Sequence, residues 1–162
     1  MGLTAFGILH TLIGLAALVA GLVGLIRDKE IVARSALGRF YFWTTMATAV
    51  TGLFIFHHGG VGPPHVLSVL TIITLGVAWV ATNTAAFGRF ARYVEVGAYT
   101  TTVVFHLVPG FTETLTRLPA GQPLAKGPED PLLQGIFGVV FLIYFIVLGL
   151  QLRRVHKARA SG

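Results

Sequence analysis

The 162-residue chain has no cysteine and little charge. Without cysteine it can form no disulfide, thiolate metal site, iron–sulfur cluster or cysteine nucleophile. Only 11% of its residues are charged, whereas soluble domains carry about 25%. With 54% hydrophobic residues, a soluble monomer would expose more apolar surface than it tolerates. This composition excludes a soluble enzyme, a disordered tail and a fibrous protein, and it predicts a polytopic membrane protein.

Long apolar runs follow one another along the chain, and crossing a bilayer takes roughly 20 helical residues. Five segments qualify or nearly qualify, which predicts an all-α bundle forming one transmembrane domain over residues 1–162. The expected spans are residues 3–26, 37–56, 64–83, 93–108 and 131–152. Residues 109–130 contain four prolines and no periodicity, so we expect a loop there.

Basic residues outnumber acidic ones by twelve to six, and their distribution predicts the orientation. With five spans, the first loop, the third loop and the C-terminal tail share one side and hold ten of the twelve. The positive-inside rule then places the N-terminus outside and the C-terminus in the cytoplasm. We expect an integral protein of the cell membrane, the inner membrane in bacteria. Membrane lipids explain the basic tail, and no nucleic-acid partner is expected.

Histidines concentrate near the predicted outer face, at His10, His57, His58, His65 and His106. Ionisable groups inside membrane helices are expensive and by default mark a functional site. Imidazole suits zinc, copper and iron. We expect His10, His58, His65 and His106 to converge on a transition metal, with zinc or copper favoured over iron. Such a site would be either catalytic or used for metal handling.

The first helix carries glycines every seven residues, at Gly7, Gly14 and Gly21. Small residues let membrane helices pack closely, and the same face allows a homo-oligomer or a partner subunit. Alternatively, the glycines form a slot for haem b. His10 and His106 would then be its ligands in an electron-transfer protein, and Arg117 would meet a propionate. A third hypothesis is a non-enzymatic bundle that binds lipid or a partner.

The fourth span carries a polar stripe, because Glu95, Tyr99, Thr102 and His106 recur at helical spacing. Through Glu95, Tyr99 and Thr102 the stripe could carry protons between the cytoplasm and the histidines. The competing interpretation is that Glu95 pairs with an arginine at the inner interface, either Arg92 or Arg39.

The N-terminal half resembles an uncharacterised bacterial family of small membrane proteins with four to five helices. Three segments carry the resemblance: Ile8-Leu9-His10-Thr11, Leu37-Gly38-Arg39-Phe40-Tyr41, and Gly59-Gly60-Val61-Gly62-Pro63-Pro64-His65. It covers about residues 1–85. The resemblance implies the helical membrane fold and draws attention to His10 and His65, but it implies no activity.

Overall fold

The computed structural model describes residues 4–56 and 60–161. It is 77% helical, and the described residues include no strand. The all-α expectation is therefore confirmed. A short 3-10 helix, Gly88–Phe90, precedes the fourth α-helix. The α-helices are α1 (Ala5–Arg27), α2 (Ala36–Gly52), α3 (Pro63–Asn83), α4 (Ala91–Leu115) and α5 (Pro131–Ala160).

Local sequence signals set several helix starts. The Ser35 hydroxyl accepts the Gly38 N–H at 2.9 Å at the start of α2. Asp130 accepts the Leu132 N–H at 3.0 Å, with Pro131 at the first position of α5. These caps satisfy N–H groups that have no partner within the helix, and proline has no N–H to satisfy.

Three helices are long and apolar enough to cross a membrane, namely α1, α3 and α5. This supports the expectation of a membrane protein. Helix α2 is shorter, with 17 residues, and α4 is interrupted by threonines and glycines.

Helix α4 lies at the centre of the bundle and contacts α1, α3 and α5, while α2 packs against α1 and α3. Tyr41, Leu75, Tyr99 and Val103 belong to the common core. Helix α5 packs mainly on α4, and only 6% of its most apolar window is buried. The most polar helices are therefore inside, where neighbouring helices cover them, and the most apolar helix is outside.

The expected loop at residues 109–130 begins later than the sequence suggested. Helix α4 runs through Pro109 and ends at Leu115. Proline has no backbone N–H, so the helix loses one hydrogen bond there. A hydrogen bond and an ion pair made by side chains after Pro109 stabilise the final turns. Thr112 Oγ1 donates to the Val108 carbonyl at 2.9 Å, and Glu113 pairs with Arg117 at 2.5 Å.

Candidate functional site

The candidate histidines come from three helices. His10 lies in the second turn of α1, His65 in the first turn of α3, and His106 in the C-terminal half of α4. The side chains of His10 and His106 both contact threonines of α2, Thr51 and Thr45 respectively. The predicted fourth member, His58, lies outside the described residues, as does His57.

His10 is oriented by a threonine of α2. Its Nδ1 lies 2.8 Å from Thr51 Oγ1. The Thr51 hydroxyl donates its own proton to the Ala47 carbonyl at 2.7 Å, so towards His10 it acts as an acceptor. His10 therefore carries its proton on Nδ1. In the neutral imidazole the lone pair is then on Nε2, the nitrogen that can ligate a metal.

His65 has the opposite tautomer. The backbone N–H of Gly62 donates to His65 Nδ1 at 3.2 Å, so the neutral ring carries its proton on Nε2. The residue is only 7% exposed, and its Nε2 has no hydrogen-bond partner within the described part of the chain. His65 thus presents a buried N–H donor, whereas metal ligation requires a lone pair. This argues against its predicted role as a ligand.

Gly52 lies where the C-terminal end of α2 meets the N-terminal parts of α1 and α3. A Cβ at Gly52 would lie 2.5 Å from Ser68 Oγ on α3 and 3.4 Å from His10 Cε1 on α1. Ser68 is one turn along from His65 on the same buried face of α3. The absence of a side chain at Gly52 therefore allows the His10 and His65 regions to approach each other.

His106 meets a polar cluster inside the bundle. Its Nε2 lies 3.1 Å from Thr45 Oγ1, and its ring stands edge-on to Tyr41 with 6.3 Å between ring centroids. The Tyr41 hydroxyl lies 2.7 Å from Thr102 Oγ1. Tyr41, Thr45 and Thr102 are almost fully buried, so these contacts occur away from solvent.

The polar stripe on α4 is divided between two environments. Near the N-terminus of α4, Glu95 accepts from Arg92 at 2.7 Å, which confirms the ion-pair interpretation. Farther along, Thr102 donates to the Tyr99 carbonyl at 2.8 Å and accepts from Tyr41. A proton route through Thr102 would end at that carbonyl, so the hydrogen bonds do not support the predicted path.

Two other expectations, a metal site with three or more ligands and a haem site along the α1 glycines, receive less support from the structure. Residues 4–56 and 60–161 include no group of three or more histidine or acidic side chains able to hold a metal. The α1 glycines face side chains of α2, because Cβ atoms at Gly14 and Gly21 would lie 3.2 Å from Thr48 and 2.7 Å from Tyr41. The face of α1 at Gly14 and Gly21 is therefore occupied by α2, and Arg117 binds Glu113.

The sequence interpretation missed Tyr41 and Thr45. These residues belong to a buried face of α2 that contains Tyr41, Thr45, Ala49 and Gly52. The sequence pattern that could have identified this face is Tyr41 followed by the small residues Thr45, Ala49 and Gly52, at intervals of four, four and three. That spacing favours a face that packs closely against neighbouring helices.

Comparisons of the chain with family models, curated proteins and solved structures found no match. The resemblance of residues 1–85 to an uncharacterised membrane family therefore stays a prediction.

Proposed function

We propose that this chain is an integral membrane protein that binds a transition metal through His10 and His106 at the outer end of its helical bundle. The His10–Thr51 hydrogen bond carries this proposal. Metal-binding histidines donate their second ring N–H to a neighbouring acceptor, which orients the ring and raises its basicity. His10 has this arrangement, with the proton on Nδ1 and the lone pair on Nε2.

His106 is the natural companion because it lies inside the same bundle, on a helix that contacts α1. Its Nε2 contacts Thr45, so its ring is also oriented by a threonine of α2. Two protein ligands leave coordination positions for water or a substrate, as in catalytic rather than structural sites. A metal there would act as a Lewis acid or activate a bound water.

His65 has a different role in this proposal. Its buried Nε2–H would donate to an oxygen of a bound group, while His10 and His106 would hold the metal. This replaces the four-histidine site expected from sequence with a pair of ligands and one donor. Zinc and copper are the metals to test first, because both accept imidazole ligands.

The proposed topology has five spans, with the N-terminus outside. Its support is the distribution of basic residues, ten of which fall in the first loop, the third loop and the tail. The central position of α4 supports it too, because a helix packed against three others can carry polar groups inside a membrane.

Metal content provides the test. The protein is purified in a neutral detergent, stripped with a chelator and dialysed separately against limiting Zn²⁺ or Cu²⁺, and bound metal is measured by elemental analysis. We expect about one equivalent, reduced at least roughly tenfold in His10→Ala and His106→Ala, since metal sites depend strongly on their ligands. His156→Ala, in the exposed C-terminal part of α5, is the matched control and should bind like the wild type.

His65→Ala separates the two roles. It should keep about one equivalent of metal, because it removes a donor and no ligand. Full metal binding in both His10→Ala and His106→Ala would refute the proposal. An equal loss of bound metal in all four variants would also contradict the proposal. Circular dichroism would then show whether the variants had lost their helical structure or had stayed folded while metal bound elsewhere.

A further inference from the structure

The inner end of the bundle contains a basic cleft, at the opposite end from His10, His65 and His106. Its volume is about 360 Å³, within the range of roughly 300–1,000 Å³ typical of small-ligand pockets. The loop after α1, the 3-10 helix and the start of α4 form one side of this inner cleft. The C-terminal part of α5 forms the other side, with Arg154, Val155 and Arg159.

Positive charge in the inner cleft exceeds the carboxylates available to balance it. The lining contains five basic residues and two acidic ones. Arg92 is bound by both Glu30 and Glu95, and Asp28 is bound by Arg27 at 2.8 Å. Four cations form no ion pair within the part of the chain that the structure describes. They are Lys29, Arg89, Arg154 and Arg159.

These unpaired cations are held near one another by the fold. Arg159 Nη1 donates to the Arg89 carbonyl at 3.3 Å, which ties the end of α5 to the 3-10 helix. Gln151 Nε2 donates to the Lys29 carbonyl at 2.9 Å, which ties α5 to the first loop. A cleft lined by one sign of charge concentrates counterions, and guanidinium groups match phosphate oxygens in geometry and charge.

We propose that the inner cleft binds a phosphate group, supplied by the headgroup of an anionic membrane phospholipid. Basic pockets between membrane helices on the cytoplasmic side bind such headgroups. The position of α5 favours a lipid over a soluble phosphate. This helix forms one wall of the cleft and leaves most of its apolar surface uncovered, so acyl chains could remain in the bilayer beside it while the phosphate contacts the arginines.

Two double variants on the same helix provide the test. The cleft variant combines Arg154→Gln with Arg159→Gln. The control variant combines Arg153→Gln with Lys157→Gln, which removes the same charge from α5 residues outside the cleft lining. Delipidated protein in neutral detergent is titrated calorimetrically at low salt with dihexanoyl phosphatidylglycerol, dihexanoyl phosphatidylcholine or inorganic phosphate.

We expect saturable binding of the phosphatidylglycerol, at least about tenfold weaker in the cleft variant and within about twofold of wild type in the control. Binding should weaken as salt increases. Inorganic phosphate that binds as tightly as the lipid, with the same loss in the cleft variant, would support the phosphate site and assign it a soluble ligand. Equal binding of the phosphatidylcholine, equal losses in both variants or no binding at all would overturn the proposal.

The single variant Arg154→Gln keeps the test decisive if the cleft variant does not fold. The Arg154 side chain makes no hydrogen bond or ion pair within the described residues, so its removal should leave folding intact. We expect it to weaken phosphatidylglycerol binding severalfold, and unchanged affinity would count against the site.

Discussion

At the residue scale, missing side chains determine how closely the backbone segments approach. Gly38 near the start of α2 has the tightest surroundings, because a Cβ there would lie 2.0 Å from the Val32 carbonyl oxygen. Its other close neighbours, the Val32 carbonyl carbon and the Ala33 Cα, are also backbone atoms. Backbone cannot move aside as a flexible side chain can, so this position requires glycine.

Gly38→Ala should therefore lower the free energy of unfolding by at least about 1–3 kcal/mol, the usual cost of overpacking. Gly76→Ala is the matched control, because a Cβ at this exposed helical glycine meets nothing within 4 Å. It should leave stability unchanged or raise it by up to about 1 kcal/mol, since alanine favours helices. Thermal midpoints in detergent compare the two, and equal midpoints would contradict the packing argument.

At the element scale, one glutamine connects the outermost helix to the rest of the molecule. Helix α5 is otherwise largely uncovered, but Gln151 is only 3% exposed. Its Oε1 accepts from Thr100 on α4 at 2.8 Å, and its Nε2 donates to the Lys29 carbonyl in the first loop. These two bonds position the end of α5 that lines the inner cleft.

Gln151→Leu should cost about 1–2 kcal/mol, because it leaves a buried hydroxyl and a carbonyl without their partners. Gln134→Leu is the control, since Gln134 is exposed and its side chain donates only to the Pro128 carbonyl among the contacts described. We expect a lower thermal midpoint for Gln151→Leu alone, and a change of similar size in Gln134→Leu would remove the special role of Gln151.

At the scale of the whole molecule, the basic cleft and the candidate metal ligands lie at opposite ends of the bundle. One end contains the Glu30–Arg92–Glu95 ion pairs and the cleft. The other end contains His10 and His65. If the chain has five spans, these ends face opposite sides of the membrane, so the proposed metal and phosphate sites would be reached from different compartments.

Single cysteines can test this topology directly, because the chain has none. Gly60→Cys, an exposed position with open space around it, should react with an impermeant thiol reagent added to intact cells. Ala85→Cys, exposed in the loop after α3, should react only after the membrane is permeabilised. Reaction at both positions in intact cells, or the reverse pattern, would contradict five spans with an outside N-terminus.

Sequence alone was sufficient for properties that depend on neighbouring residues. The all-α fold and the membrane character follow from the length of the apolar segments. Local rules were insufficient at Pro109, where one missing donor did not end the helix. The pairing of Glu95 with Arg92 was one of two interpretations that the sequence left open.

Only the tertiary structure determined which polar groups meet. A threonine in a membrane helix can bond its own backbone, a neighbouring helix or both, and the choice depends on which face the packing buries. Tyr41 and Thr45 thus became partners of Thr102 and His106. Likewise, the proton positions on His10 and His65 follow from contacts with Thr51 and Gly62. The spacing of histidines along the chain cannot distinguish a metal ligand from a hydrogen-bond donor, because that difference depends on what the other ring nitrogen contacts in the folded bundle.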